Sequence, residues 1–566
     1  MVGWTPDGNI VFRSFFESGN YFYKLFTISA EGGYPEELSI DKAATLTFEP
    51  NGQRVAFTRT MLSFRTWKRY HGGWAENIWV GNLATHDFKK ISKYTGNNQF
   101  PMWIGDRIYF QSDSLGRANI WSMTPDGGDL KQVTSHTDYD TRWPSAWRDL
   151  IVYQHAMDIW MLDTKTGKTS KIDIALPSDR LQRRAKFVGA AKNIDSYDLS
   201  PDGKRMIVAA RGELFWVPTK KDGLTRRVSV SATSREKTPV FSPDGKSIMA
   251  VSDATGEEEL YLWDAAGSGT PTQLSNSKLG WHYDPLYSPD GKWIAFSDFK
   301  CRLNLFNIDS KTSAVIDSAS WEIRQYSWSP DSKFLAYNAT IENGYGVIRI
   351  YDRTAKKSHT VTEEMFHSAF PSWDPEGKYL YFLQDATFNP RLDYVEGSRY
   401  VFDELTKPYL LVLKVSDKSP FAPKADSEED KSAVDKKTSD KKDKDKGSKE
   451  GEKKDTVKVQ IDFAGIVDRK VGIDVTAGNY VNLRAISGKF YYLSSRNRGM
   501  MPEGQPDQGD RYDLHLYDVK EQKDTVVMSG INSFDVSDDN GTLVVKKLDQ
   551  FTRMAAGALS PPPPDD

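Results

Sequence analysis

The chain contains almost no cysteine, since Cys301 is the single one among 566 residues. One cysteine permits no intrachain disulfide, so the fold does not depend on an oxidising compartment. Long hydrophobic runs are missing too: no stretch approaches the roughly 20 apolar residues of a membrane span, and no signal peptide opens the chain. As written, the protein is expected to stay in the cytoplasm, and a periplasmic location is left open in case truncation removed a signal peptide.

An excess of charge of one sign is also absent. The chain has 75 Lys and Arg against 78 Asp and Glu, which gives a formal net charge of -3. A balance of this kind provides no general attraction to nucleic acid or to anionic lipid. We therefore expect neither a nucleic-acid partner nor a membrane partner.

The motifs of common catalytic and cofactor sites are missing as well. The sequence has no Gly-x-Ser-x-Gly nucleophile elbow and no Gly-x-x-x-x-Gly-Lys phosphate loop. Its eight histidines are scattered, without the i, i+4 pairing or the cysteine partners that zinc sites use. The sequence therefore predicts no catalytic residue, no metal site and no cofactor in this chain.

What the chain does have is a repeat. A four-residue turn, most often Ser-Pro-Asp-Gly, starts at residues 200, 242, 288, 329 and 374, so that successive starts are 42, 46, 41 and 45 residues apart. Proline presets φ at the second turn position, and Gly or Ser tolerates the tight fourth position. Related turns occur at Thr5-Pro6-Asp7-Gly8 and Glu49-Pro50-Asn51-Gly52. A period in the forties with one such turn per unit is typical of hairpin repeats.

Each repeat contains four short strands separated by polar turns, which is the composition of a β-propeller blade. One four-stranded sheet cannot bury both faces alone, so blades must stack and aromatic side chains fill the space between them. The fold class is therefore predicted as all-β, with two consecutive β-propellers. Tryptophans at equivalent repeat positions are predicted to be core residues: Trp79, Trp121, Trp160, Trp216 and Trp263.

Counting repeats gives the predicted domains. About four blades occupy residues 1–175, a polar and basic linker covers 176–193, and seven blades, the last incomplete, occupy 194–554. Residues 555–566 form a tail. The segment 416–455 is rich in Lys, Asp, Glu and Ser and has almost no apolar residue, so a disordered insertion is predicted there. Because Met1 is followed at once by a mid-repeat turn, we expect a truncated start.

A loop inside the second repeat departs from the pattern. Residues 62–74 are basic and aromatic at once, and such a loop on a rigid scaffold is where binding tends to occur. One interpretation is a solvated hairpin with stacked aromatic rings. The other is a surface that contacts a substrate or a neighbouring domain, with arginine and lysine donors for carboxylates. The candidate contact residues are Arg65, Trp67, Lys68, Arg69 and Tyr70.

At this loop the sequence resembles the tricorn protease family. Further stretches that carry the resemblance are Asp106-Arg107-Ile108-Tyr109-Phe110, Leu130-Lys131-Gln132-Val133-Thr134 and Lys407-Pro408-Tyr409-Leu410-Leu411-Val412-Leu413. The order also fits that family: a six-bladed propeller, then a seven-bladed one with an insertion after its fifth blade. By this resemblance, the first propeller is of the six-bladed type and lacks about two blades before Met1.

The resemblance implies a noncatalytic substrate-gating and scaffold region of a serine protease that degrades peptides. Peptides or unfolded polypeptide would be its substrates, and downstream PDZ-like and peptidase domains would be its partners. The full-length protein would be a homo-oligomer. The catalytic residues of the family have no counterpart positions here, so this chain alone is predicted to be inactive.

Two other classes remain as alternatives. One is a standalone β-propeller that binds a protein partner, similar to periplasmic translocation-associated propellers. The other, disfavoured, is the propeller half of a prolyl-oligopeptidase-like enzyme, since those enzymes follow their propeller with a nucleophile elbow. A longer reading frame with a PDZ-like segment and a serine nucleophile supports the protease, whereas a stop codon soon after Asp566 supports the standalone module.

Overall fold

The computed structural model describes residues 2–15, 22–50, 52–61, 68–184, 186–220, 223–229, 231, 233–267, 269–278, 280–392, 400–422, 457–495 and 511–560. Within these ranges the helical residues are confined to three short 3-10 turns, at Leu181–Arg183, Ala191–Asn193 and Ile466–Arg469. The all-β prediction is thereby confirmed. No helix in the described part of the chain has the length and apolar character needed to cross a membrane.

The repeated turns fold as predicted and connect the first strand of a sheet to the second. In the turn at residue 200, the Ser200 hydroxyl donates to Asp202 Oδ1 over 2.7 Å, and Gly203 N donates to the Ser200 carbonyl over 2.7 Å. Gly203 adopts a φ of 64°, which favours glycine. Hydrogen bonding from Ser200 lowers the pKa of Asp202 to about 2. The same Ser-to-Asp bond recurs at Ser242–Asp244, Ser288–Asp290, Ser329–Asp331 and Ser537–Asp539.

The chain divides into two compact units, Met1–Ala185 (unit 1) and Lys186–Asp566 (unit 2). Within the described residues, unit 1 contains four antiparallel sheets, each made of four strands in chain order. Their strands are β1 (Gly3–Trp4), β2 (Ile10–Ser14), β3 (Lys24–Ile28) and β4 (Glu36–Glu37); β5 (Thr45–Phe48), β6 (Arg54–Thr58), β7 (Ile78–Asn82) and β8 (Asp87–Lys90); β9 (Asn98–Ile104), β10 (Arg107–Ser112), β11 (Asn119–Met123) and β12 (Lys131–Gln132); and β13 (Thr141–Trp147), β14 (Leu150–His155), β15 (Asp158–Asp163) and β16 (Thr169–Lys171).

Consecutive sheets of unit 1 pack face to face through three apolar cores. The core between the first and second sheets includes Leu25 and Phe57, and the core between the second and third includes Val80 and Phe110. The core between the third and fourth sheets includes Tyr109. Whether this unit is a six-bladed propeller shortened at its N-terminus stays a prediction.

Unit 2 contains seven stacked sheets and one separate two-stranded hairpin within its described residues. The first four sheets consist of β17 (Ile194–Leu199), β18 (Arg205–Ala210), β19 (Glu213–Pro218) and β20 (Arg226–Arg227); β21 (Glu236–Phe241), β22 (Ser247–Ser252), β23 (Glu259–Asp264) and β24 (Thr272–Gln273); β25 (His282–Tyr287), β26 (Trp293–Asp298), β27 (Arg302–Asn307) and β28 (Thr312–Ser318); and β29 (Tyr326–Trp328), β30 (Phe334–Thr340), β31 (Gly346–Asp352) and β32 (Lys357–Thr360). The fifth sheet consists of β33 (His367–Trp373), β34 (Tyr379–Asp385), β37 (Thr406–Val412) and β38 (Lys470–Gly472), and it carries a side hairpin of β35 (Pro390–Leu392) and β36 (Tyr400–Phe402). The sixth sheet consists of β39 (Asn479–Ile486), β40 (Lys489–Ser495), β41 (Tyr512–Asp518) and β42 (Lys523–Ile531), and the seventh of β43 (Ser533–Val536), β44 (Thr542–Lys547) and β45 (Gln550–Ala555).

The sheets of unit 2 close into a ring. Six apolar cores join consecutive sheets, and a seventh joins the last sheet to the first through Val544, which packs against Leu199 and Val208. The Tyr197 hydroxyl lies 2.8 Å from Ser533 Oγ, and the Tyr197 ring packs edge-on to Phe551. Among the described residues the first sheet contains only β17–β20 and the last only β43–β45, so side-chain packing rather than a shared strand closes the ring there. As predicted, the five repeat tryptophans lie in or against inter-sheet cores. Trp79, Trp121 and Trp160 do so in unit 1, and Trp216 and Trp263 do so in unit 2.

The insertion of unit 2 falls inside the fifth sheet. Its third strand, β37, ends at Val412, and its fourth strand, β38, is Lys470–Gly472. The sequence placed the insertion after the fifth blade because the distant last strand has no local signature. Of the segment 416–455, the structure describes residues 416–422, where Phe421 packs against Tyr517. The remainder lies outside the described residues, so its disorder stays a prediction.

Ring closure predicts a specific loss of stability for Val544→Ala. Val544 is 1% exposed at the junction of the last and first sheets. Removing two buried methyl groups there should lower the free energy of unfolding by about 1–3 kcal/mol. Urea unfolding of the full chain measures the effect. Val526→Ala is the control, because Val526 is 48% exposed and its truncation should change stability by less than about 0.5 kcal/mol. Equal effects of the two variants would contradict the closed ring.

Candidate functional site

The structure describes three of the five candidate contact residues; Arg65 and Trp67 lie outside the described residues. The Lys68 ammonium is 3.1 Å from Asp140 Oδ2, and the Arg69 guanidinium is 3.7 Å from Asp140 Oδ1. Arg69 also donates to the Gly116 carbonyl. These cations therefore tie their loop to the third sheet and its following connection. Their role toward a substrate or another domain stays a prediction.

Unit 2 contains a second candidate, an axial cavity of about 740 Å³ that is open to solvent. All seven sheets contribute to its wall, mainly through their first strands and the turns that follow, so we call it the axial channel. Its charged and amide lining residues are Asp198, Arg324, Gln325, Asn482, Arg484, Asp535, Asp538 and Asn540. Proline rings and aromatic side chains complete the described lining, which includes neither histidine nor cysteine.

Proline-containing bulges shape the wall of the channel. Thr238, Asp284 and Phe370 each precede a proline and adopt φ values of 45°, 45° and 54°. At each of these positions the register of the first strand against the second shifts. Proline cannot donate to a strand ladder, and a bulge is one of the few places where a strand accepts it. The sequence does contain a signal for these bulges, because a proline stands three residues before the start of the repeated turn. The spacing of the repeats alone does not indicate that this proline marks a bulge.

Two carboxylates of the channel link neighbouring first strands. Asp198 Oδ2 accepts from Phe241 N at 2.7 Å, and Asp535 Oδ2 accepts from Leu199 N at 3.3 Å. Burial, and then the charge of Asp535, raise the pKa of Asp198 well above its ordinary value. Burial likewise raises the pKa of Asp535, although Arg484 opposes the shift. The pair therefore holds protons more tightly than exposed carboxyls do.

Two arginines, Arg324 and Arg484, also line the channel. Arg324 pairs with Asp284 through Nε and Oδ2 at 2.8 Å. The charge of Arg484 opposes the rise that burial causes in the pKa of Asp538, and Arg484 Nε has no hydrogen-bond partner among the described residues. Donors, acceptors and apolar rings thus line one lumen. This mixture suits contacts with polypeptide backbone that do not depend on one particular side chain.

The raised carboxyl pKa values predict a pH-dependent effect of Asp535→Asn. A carboxyl whose pKa is higher in the folded chain than in the unfolded chain stabilises the fold at low pH, and this contribution is lost as pH rises through the folded value. Asparagine can still accept from Leu199 N and does not ionise. The thermal midpoint of the variant relative to the parent should therefore increase from pH 5 to pH 8. Asp549→Asn, on an exposed hairpin, is the control; the same pH trend in both variants would contradict the prediction.

A Ser-His-Asp cluster lies on the sixth sheet of unit 2. Ser494 Oγ is 2.9 Å from His515 Nε2, and His515 Nδ1 is 2.8 Å from Asp524 Oδ2. These distances match the nucleophile, base and acid of a hydrolytic triad. Sequence reasoning missed the cluster because the three residues belong to three strands and only strand register brings them together.

The position of Ser494 favours a structural role for this cluster. Ser494 lies in β40 and pairs with Tyr480 on one side and Asp513 on the other. Acyl transfer needs backbone N–H groups directed at the developing oxyanion, and a strand paired on both sides commits its N–H groups to the ladder. The Tyr492 ring also stacks on His515, with centroids 4.6 Å apart. We interpret the cluster as a hydrogen-bonded tie across strands.

This interpretation predicts that the chain does not cleave peptides and that Ser494→Ala does not change the rate of peptide hydrolysis. Fluorogenic peptides should be hydrolysed at the background rate by both the parent chain and the variant. A fluorophosphonate probe should leave Ser494 unlabelled, as judged by mass spectrometry. Cleavage above background that Ser494→Ala abolishes would overturn the structural interpretation.

Two family models match the chain. The tricorn protease N-terminal β-propeller domain matches residues 1–168, and the tricorn protease second β-propeller domain matches residues 194–557. A tricorn protease homolog from Saccharolobus solfataricus is 26% identical over 557 residues, which cover 96% of this chain and 47% of that protein. Tricorn protease homolog 1 from Streptomyces coelicolor is 28% identical, with 95% of this chain and 50% of that protein covered.

A solved structure gives the same result for the fold. The crystal structure of the tricorn protease is similar to this chain with a TM-score of 0.61 at 22% identity, and the match covers 98% of this chain and 51% of that one. The chain thus spans about half the length of the curated relatives that it matches.

Proposed function

Because the chain belongs to the tricorn protease family, we propose that it forms the noncatalytic substrate-gating and scaffold part of a tricorn-like serine protease that degrades peptides. The axial channel of unit 2 carries the proposal, since it offers a polypeptide a lumen of about 740 Å³ walled by all seven sheets. The chain spans about half the length of its relatives, and the proposal assigns the catalytic groups to the rest of such a protein.

The lining of the channel fits an extended peptide of variable sequence. An extended chain presents one N–H and one C=O per residue, and these need acceptors and donors along their path. Asp538 and Asn540 provide acceptors, while Arg484 provides donors. Proline and aromatic side chains between them accommodate apolar side chains of the peptide. Peptides or unfolded polypeptide are therefore the proposed substrates.

Partners and location follow from the same proposal. PDZ-like and peptidase domains of a longer protein would receive what passes the channel, and the assembled protein would be a cytoplasmic homo-oligomer. The two units would then act as scaffold and gate, and the peptidase domains would perform the chemistry.

A steric block in the channel tests this function. Asp538 lines the channel and lies in the turn between β43 and β44, so a Trp at this position should narrow the lumen without entering a sheet core. We expect the parent chain to bind a fluorescein-labelled, unstructured 20-residue peptide in a saturable way, measured by anisotropy. Asp538→Trp should weaken this binding at least tenfold.

Asp549→Trp is the matched control, because Asp549 is exposed on the hairpin between β44 and β45. It should bind the peptide as the parent does. Undiminished binding by Asp538→Trp, or no saturable binding by the parent, would contradict the gating proposal.

A further inference from the structure

Two histidines and an aspartate converge on the fourth sheet of unit 1. His136 and Asp138 belong to the connection between β12 and β13, and His155 is the last residue of β14. Each offers one ligand atom, and the three atoms lie within 4.8 Å of one another. No metal site is predicted from the sequence, because a pair of strands separates His136 from His155 along the chain. Only the folded structure brings the two side chains together.

The spacing of the ligand atoms suits a common cation. His155 Nε2 is 3.2 Å from Asp138 Oδ1. Two ligands that are each about 2.1 Å from a metal lie about 3.0 Å apart in an octahedral site and about 3.4 Å apart in a tetrahedral one. The imidazole rings of His136 and His155 stack face to face, with centroids 3.7 Å apart and planes 22° from parallel. The three ligand atoms lie within 4.8 Å of one another, so rotation of the two imidazoles and of the exposed Asp138 side chain would bring them to one ion.

Surrounding residues hold the two imidazoles in place. The backbone N of His136 donates to Asn119 Oδ1 at 2.9 Å and fixes the main chain there, while the Tyr153 hydroxyl lies 3.0 Å from the ring nitrogen Nε2 of His136. The Trp160 ring packs edge-on to both imidazoles, at 5.3 Å from His136 and 5.8 Å from His155. Metal sites use such outer contacts to orient their ligands.

The hydrogen bonding of His155 differs from that of the buried His282 and the half-buried His515. His282 has Ser277 Oγ at Nε2 and the Gly280 carbonyl at Nδ1, and His515 is likewise bonded at both ring nitrogens. His155 is 6% exposed, and its Nδ1 has no partner among the described residues. Buried polar atoms are normally satisfied, so the contact of Nε2 with Asp138 leaves the other nitrogen of this ring without an explanation.

We propose that His136, Asp138 and His155 bind a divalent first-row transition metal, with Zn²⁺ as the best match. Two imidazoles and one carboxylate favour Zn²⁺ over Mg²⁺ and Ca²⁺, which prefer all-oxygen sites. Asp138 is largely exposed, so water can complete the coordination. The ion would fasten the connection between the third and fourth sheets to the end of β14.

Metal titration of the full chain tests the site. After removal of metals with EDTA, calorimetry with ZnCl₂ should show one tight equivalent per chain, and CoCl₂ should give the visible absorption of a low-symmetry Co²⁺ site. Asp138→Asn and His136→Gln should each weaken Zn²⁺ binding at least tenfold. Because Asp138 is exposed, Asp138→Asn should fold as the parent does, which the thermal midpoint checks.

His86→Gln is the control, since His86 is an exposed histidine on the turn between β7 and β8. It should leave the stoichiometry and affinity unchanged. Zinc binding that both Asp138→Asn and His136→Gln retain at parental affinity would overturn the proposal. The absence of a tight equivalent in the parent chain would overturn it as well.

Discussion

A four-stranded antiparallel sheet with two apolar faces needs a neighbour on each side, and this constraint organises the molecule. In unit 2 each of the seven described sheets has both neighbours, because Val544 of the last sheet packs on Leu199 of the first. Hydrogen bonds between first strands accompany the packing: Ser372 Oγ accepts from Ala485 N at 2.9 Å, as Asp198 does from Phe241 N. Burial thus supplies the attraction between sheets, while these bonds fix how adjacent sheets are aligned.

The chemistry of the axial channel is a consequence of this assembly. The side chains that bond to the next sheet sit on first strands, which are also the strands around the axis. Where such a side chain is a carboxylate, as in Asp198 and Asp535, the ring places an acid beside the lumen. Enclosure then raises the pKa of both groups. A feature that aligns the sheets therefore also determines what a polypeptide in the channel would meet.

Sequence reasoning succeeded where the determinant is local. The turn at Ser200 is recognisable because its hydroxyl, carboxylate and glycine lie within four residues. The contact of Leu199 with Asp535 spans 336 residues, so no local pattern announces it. The Ser494–His515–Asp524 cluster was not predicted because strand register decides which of its side chains meet, and the pair of His136 and His155 was not predicted because the path of a connection brings them together.

The two units differ in how fully the same constraint is met. Stability in stacked sheets is approximately a sum of sheet terms and nearest-neighbour terms. Within the described residues, unit 2 has seven inter-sheet cores for seven sheets, whereas unit 1 has three for four. The fourth sheet of unit 1 accordingly leaves Trp147 and Val152 exposed by 65% and 38%. The contacts of Lys68 with Asp140 and the cluster of His136 with His155 both adjoin this sheet. His155 lies on the same face of β14 as Ile151 and Tyr153, which pack against the third sheet, so these polar contacts reinforce the covered side of the fourth sheet and leave its other face to solvent.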